Sequence, residues 1–123
     1  MRRWIAVLGL LTIVLSVSWV ALPSSADTAR FRAANTDSGP KWQPARREIA
    51  KGDRIVWKNP TDGAHTVTAY SGKWNKNTTV DAGGRTAKTF KNRGTYKFRC
   101  MITGHSAISD GKCVGMCGKV VVR

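Results

Sequence analysis

An all-β fold, an antiparallel sandwich or barrel, is what this 123-residue sequence predicts. Three observations carry the prediction. Short runs rich in β-branched and aromatic residues recur between turn signals about every 8 to 12 residues, the spacing of strands in such folds. Within the clearest runs, apolar and polar residues alternate, as in a half-buried strand. After the first 26 residues, no stretch with helical periodicity is long enough to compete.

The chain begins with Met1, Arg2 and Arg3, then an almost unbroken apolar run from Trp4 to Leu22 and the segment Pro23-Ser24-Ser25-Ala26. Basic start, apolar middle and small residues at Ser24 and Ala26 are the three parts of a secretory signal. Residues 1–26 are therefore predicted to be a signal peptide cut after Ala26. A retained anchor is the alternative, because about 18 apolar residues are also near the lower limit for spanning a bilayer. Either way the remainder is expected outside the cytoplasm, whether secreted, periplasmic or held at the envelope.

Residues 27–40, polar and ending in Gly39-Pro40, read as a flexible lead-in with a short strand around Phe31 to Ala34. The folded domain is assigned to 41–123. Its strand candidates are Arg47 to Ile49, Arg54 to Trp57, Thr66 to Tyr70, Thr86 to Phe90, Tyr96 to Cys100 and Lys119 to Arg123. Between them fall Lys51-Gly52-Asp53, Asn59-Pro60-Thr61-Asp62-Gly63, Ser71-Gly72, Asp81-Ala82-Gly83-Gly84 and Asn92-Arg93-Gly94, all turn-forming. Alternation puts Ile55 and Trp57 on one face. It also puts Tyr96, Phe98 and Cys100 on a buried face, opposite Lys97 and Arg99.

Charge narrows the function classes. The chain holds 21 Lys and Arg against 7 Asp and Glu; removing Arg2 and Arg3 leaves 19 bases against the same 7 acids, a net +12. Just under 100 residues after the leader allow one compact domain, which excludes a multidomain enzyme. With 41% hydrophobic residues, the chain has enough apolar material to fold. Trp42, Trp57 and Trp74 beside a basic surface could suggest base stacking. Trp57 is better explained as core, and an extracytoplasmic address makes nucleic acid a poor partner. An anionic membrane surface, a cell-wall polyanion or an acidic protein fits better.

The chain has two histidines, His65 and His105, and three cysteines, Cys100, Cys113 and Cys117. His65 opens a strand after a turn, Cys100 closes one, His105 follows in a glycine-containing loop, and Met116 precedes the last strand. All four can meet at one end of a sandwich. Two imidazoles, one thiolate and a distant thioether suit copper that cycles between Cu(I) and Cu(II), since sulfur favours the first state and imidazole serves both.

With these residues in place, the chain resembles the cupredoxins, small blue copper proteins of the plastocyanin and azurin kind, from about Trp42 to Arg123. The similar segments are Gly52-Asp53-Arg54-Ile55-Val56-Trp57-Lys58-Asn59, His65-Thr66-Val67-Thr68, Gly94-Thr95-Tyr96-Lys97-Phe98-Arg99-Cys100, His105, and Gly115-Met116-Cys117-Gly118-Lys119-Val120-Val121-Val122. The resemblance implies a Greek-key antiparallel β-sandwich that holds one copper. His65, Cys100 and His105 would be equatorial ligands and Met116 the axial one, with His105 the partly exposed ligand through which electrons pass.

Two features depart from that pattern. Cys100 to Ala107 is similar to azurin, yet Ser109 stands where azurin's axial Met would fall, and Gly115-Met116 follows His105 by eleven residues. Met116, a carbonyl, a water and the Cys113 sulfur are the options for the axial position. The second departure is the pair Cys113 and Cys117. In an oxidising compartment they are expected to form a disulfide that pins the long loop, the alternatives being a small buried Cys117 or a zinc site.

The function expected is single-electron transfer between redox partners that carry acidic docking patches, by a monomer that is not an enzyme. A nearly saturated donor set leaves no open position for a substrate. Storage or delivery of Cu(I) on the sulfur-rich segment is the alternative.

Overall fold

The computed structural model describes Gly9, residues 13–16 and residues 28–123. The rest of the expected leader, with its cut after Ala26, lies outside the described residues. Among the described residues, no helix is long and apolar enough to cross a membrane.

Eleven strands follow in chain order: β1 (Ala29–Thr36), β2 (Gly39–Gln43), β3 (Arg46–Ile49), β4 (Arg54–Lys58), β5 (His65–Ala69), β6 (Asn77–Val80), β7 (Arg85–Thr89), β8 (Gly94–Arg99), β9 (Ser106–Ser109), β10 (Lys112–Gly115) and β11 (Cys117–Val122). One sheet has the order β2-β1-β4-β7 and the other β3-β11-β8-β5-β6, with β9 and β10 a separate hairpin. The chain passes from one sheet to the other at β2 to β3, β3 to β4, β4 to β5, β6 to β7 and β7 to β8. These crossings make a sandwich instead of a meander.

Each strand run predicted from the sequence is present to within a residue or two at either end. Pairing is less uniform than expected, because β1 lies parallel to β4 and β3 parallel to β11. Both pairs join strands that no hairpin connects, so neither follows from neighbouring turn signals.

The lead-in assignment is corrected by the structure. Residues 29–36 are not a flexible segment; they form a full strand hydrogen-bonded on both sides, antiparallel to β2 and parallel to β4. Phe31 and Ala33 are buried. The polar appearance of this stretch comes from exposed Arg30 and Arg32, which alternate with the buried residues, and from exposed Asn35 near the end of the strand.

Aromatic rings fill the space between the sheets. Phe98 meets Phe31 edge-on at 4.7 Å between centroids and Trp57 at 5.4 Å, and Trp57 stacks on Trp74 at 6.3 Å. Trp57 and Phe98 are fully buried, as alternation predicted. Truncating such a ring to alanine costs about 3–5 kcal/mol. Trp42 is also buried, so neither Trp42 nor Trp57 presents a face for base stacking. Among the described residues, every strand and every member of this core lies at or after Ala29. A chain starting at Asp27 therefore contains the whole sandwich.

Candidate metal centre

His65 is the first residue of β5, pairing with Val80 of β6. Cys100 directly follows β8, and Met116 sits between β10 and β11. His105 ends a turn closed by its own N–H, which donates to the Ile102 carbonyl at 2.9 Å. All four residues thus arrive at the same end of the sandwich.

One donor atom from each of His65, Cys100 and His105 lies within 4.8 Å of the others. The two Nδ1 atoms are 3.2 Å apart, and Cys100 Sγ is 3.4 Å from His105 Nδ1. Two imidazole nitrogens held this close repel through their lone pairs unless a proton or a cation lies between them, so the geometry suits a shared ion. His65 and Cys100 are buried, whereas His105 is half-buried.

The hydrogen bonds decide which His65 nitrogen is free. Asn59, fully buried, donates its side-chain amide to the carbonyls of Gly63 (2.7 Å), Val80 (3.0 Å) and Asp81 (3.2 Å). That fixes its Oδ1, which accepts from the Thr61 N–H at 3.1 Å and the Thr61 hydroxyl at 2.6 Å. With its single proton given to Asn59, Thr61 Oγ1 is left to accept from His65 Nε2, 2.9 Å away. Nε2 then carries the hydrogen and Nδ1 keeps its lone pair facing Cys100 and His105. This is the usual way an outer partner sets the tautomer of a metal-binding histidine. Burial, reinforced by charge on His105, pushes the His65 pKa below its ordinary value of 6.5. The ring therefore stays neutral and able to ligate at lower pH than a free imidazole.

Cys100 is held from two sides. The Thr66 N–H donates to its Sγ at 3.3 Å and fixes the sulfur's position. Its own N–H donates to the Met116 carbonyl at 2.9 Å. Thr66 Oγ1 also accepts the Met101 N–H at 2.8 Å, and the Ser106 hydroxyl donates to the Cys100 carbonyl, so the loop is tied at both ends.

Met116 is fully buried, and its N–H donates to the His105 carbonyl at 2.8 Å. Gly115 makes this approach possible. Its φ is +99°, and a Cβ there would collide with the His105 carbonyl oxygen. The long segment between His105 and Met116 is not an irregular loop but the β9–β10 hairpin, turned at Asp110 (φ +51°) and Gly111 (φ +74°). Positive φ at both central residues suits the twist of a hairpin. Cys113 and Cys117 form the expected disulfide, with Cα atoms 6.1 Å apart, and Cys100 remains free.

The positioning roles of Asn59, Thr61 and Thr66 were missing from the sequence reading. Asn59-Pro60-Thr61 was visible only as a turn. The carbonyls that Asn59 serves come partly from β6 and the turn after it, about twenty residues away.

Residues 30–123 match the profile of the copper binding proteins of the plastocyanin/azurin family. Among solved structures, a reduced Cu(I) form at pH 4 of an amicyanin variant is similar, with TM-score 0.61 and 22% identity over 78% of this chain and 82% of that one. A purple cupredoxin from Nitrosopumilus maritimus is similar at TM-score 0.61 and 20% identity, over 77% of this chain and 99% of that one. Among curated protein sequences, none matches this chain. The profile match spans most of the sequence and takes in all three converging donors, and the chain belongs to the plastocyanin/azurin family of copper-binding proteins.

Proposed function

We infer that this chain is an extracytoplasmic type 1 copper protein that passes single electrons between redox partners, with one copper held by His65, Cys100 and His105 and with Met116 as the axial donor. The observation that carries this reading is the convergence of one thiolate and two imidazoles, two of them buried and the third reaching toward the surface. Copper bound by such donors supplies one-electron cycling between Cu(I) and Cu(II).

The protein's part is to hold the donors still and keep water out. Asn59 and Thr61 orient His65, the Thr66 N–H holds the Cys100 sulfur in place, and the bonds among Cys100, His105 and Met116 close the end of the sandwich. A donor set fixed this firmly changes little between oxidation states. His105, the least buried donor, is the natural point of contact with a partner. Exposed Met101 directly follows Cys100, and exposed Val114 lies on the hairpin that follows His105. The excess of basic residues would steer acidic partners toward the protein and make association fall with salt.

Storage or delivery of Cu(I) draws less support. Two of the three cysteine sulfurs that it would use are joined to each other. Voltammetry of the copper-loaded chain from Asp27 separates the readings. Electron transfer predicts one reversible one-electron wave at one copper per chain, whereas uptake of several Cu(I) without a reversible wave would favour storage.

A further inference from the structure

Both outer faces of the sandwich are basic, but on the four-stranded sheet no acid is interleaved with the cations. On the four-stranded sheet, Phe31, Ala33, Ile55 and Trp57 turn inward, so the residues between them turn outward. The strand register then sets Arg30 beside Val56, Arg32 beside Lys58, Val56 beside Ala87 and Lys58 beside Arg85, with Arg54 beside Thr89 and Lys41 beside Ala34. Six cations share this face, and no carboxylate does. The nearest acid in sequence, Asp53, accepts the Ala50 N–H with its Oδ2. Among the described residues, none of the six cations forms an ion pair. The five-stranded sheet also carries Lys97, Arg99 and Lys119 on its outer side, but there Glu48 stands among the cations and pairs with Arg46 and with Arg123 at the end of the chain.

Arg30, Arg54, Lys58 and Arg85 line a shallow depression of about 350 Å³, with Val56 and Ala87 also in its lining. Val56 faces outward and is nonetheless buried, covered by the stems of the cations around it. Neighbouring strands lie about 4.8 Å apart and alternate residues about 6.8 Å apart, so the charges form a regular two-dimensional array.

We propose that this face docks on anionic phospholipid, its arginines and lysines binding the headgroup phosphates. Four of the six cations are arginine, whose planar fork matches phosphate oxygens. The face has no exposed aromatic or large aliphatic side chain, the kind of anchor that a protein interface concentrates at its centre. A flat basic array without an anchor fits an extended charged surface better than a protein. In the alternative in which the apolar run ending at Leu22 is kept as an anchor, only six residues separate it from β1 and would hold this domain beside the bilayer. Docking by this face leaves the end of the sandwich that carries His105 open to partners. The bound protein would then exchange electrons along the surface.

The test is sedimentation of the chain from Asp27 with vesicles of phosphatidylcholine, with and without 30% phosphatidylglycerol. The proposal expects binding only to the anionic vesicles, weakening steeply with salt. Arg30→Gln/Arg54→Gln/Arg85→Gln should weaken it roughly 100-fold, and Lys97→Gln/Lys112→Gln/Lys119→Gln, which removes as many charges elsewhere, by a much smaller factor. An unchanged thermal midpoint would show that both variants fold. If the first variant proves unfolded, Lys41→Gln/Lys58→Gln on the same face provides the comparison. Equal losses from the two faces would overturn the proposal in favour of diffuse net charge. So would capture of a soluble polyanion such as polyphosphate without any binding to anionic vesicles.

Discussion

The two sides of the metal centre are built by opposite means. On the His65 side, a single buried amide organises the chain: Asn59 joins its own loop to β6 and the turn beyond, and through Thr61 orients the imidazole. On the His105 side there is no such hub. A hairpin stapled by Cys113–Cys117 and a glycine at position 115 bring Met116 under the His105 carbonyl. The first side depends on satisfying buried polar groups, the second on covalent closure and backbone conformation. One is sensitive to a single side chain and the other to redox conditions.

Breaking the amide hub should have the largest effect. Asn59→Ala removes the amide donor from three carbonyls and the acceptor of the Thr61 N–H. Asp81 keeps the Gly84 N–H and the Thr61 hydroxyl can turn to Gly63, so the loss should be about 1–3 kcal/mol for each remaining buried group left unsatisfied. Copper affinity should fall with it, because His65 loses its orientation. Denaturant unfolding and copper competition measure the two losses. If both stay small, the hub does not organise the site.

Opening the staple should matter less. The disulfide closes only a short loop, so Cys113→Ser/Cys117→Ser should cost about 2 kcal/mol on chain-entropy grounds. Its effect on the metal should appear mainly at Met116 and His105, leaving the His65 side intact. A change in the His65 ring signals as large as that of His105 by NMR would contradict the separation of the two sides.

Met116→Leu sharpens the comparison further. If Met116 is the axial donor proposed for it, the variant should keep the thiolate-to-copper colour but raise the reduction potential, since an axial ligand tunes the potential of such a site. No change in either property would remove Met116 from the ligand set.

The smallest effect concerns pH. In the metal-free fold the His65 pKa lies below its unfolded value, with burial as the main cause. Above pH 6.5 the ring is neutral in both states and full stability is present. As pH falls from 6.5 toward the folded pKa, the unfolded chain takes up a proton that the folded one refuses, and stability declines. Thermal melts of metal-free protein should therefore show a slope across this window that His65→Gln reduces.

The three residues that converge, His65, Cys100 and His105, were legible in the sequence for a chemical reason. Two histidines and three cysteines are few, and each stands at the end of a run that alternation marks as a strand. What escaped was non-local or disguised. The run from Ala29 to Thr36 buries Phe31 and small Ala33 between exposed polar residues, and its partner β4 lies some twenty-five residues further along the chain. The β9–β10 hairpin had a local signal in Asp110-Gly111, and its flanking residues, Ile108-Ser109 and Lys112-Cys113, were too few to stand out as strands. The Asn59 network had no local signal, since its acceptors meet only when β6 pairs with β5.

The central claim is that His65, Cys100 and His105 hold one redox-active copper. A Cu(II) titration of the chain from Asp27, followed by visible and EPR spectra beside Cys100→Ser, tests it most directly. The account predicts an intense visible band that saturates at one copper per chain, bleaches reversibly with reductant and is absent from the variant. A colourless complex, or a band that survives Cys100→Ser, would contradict it.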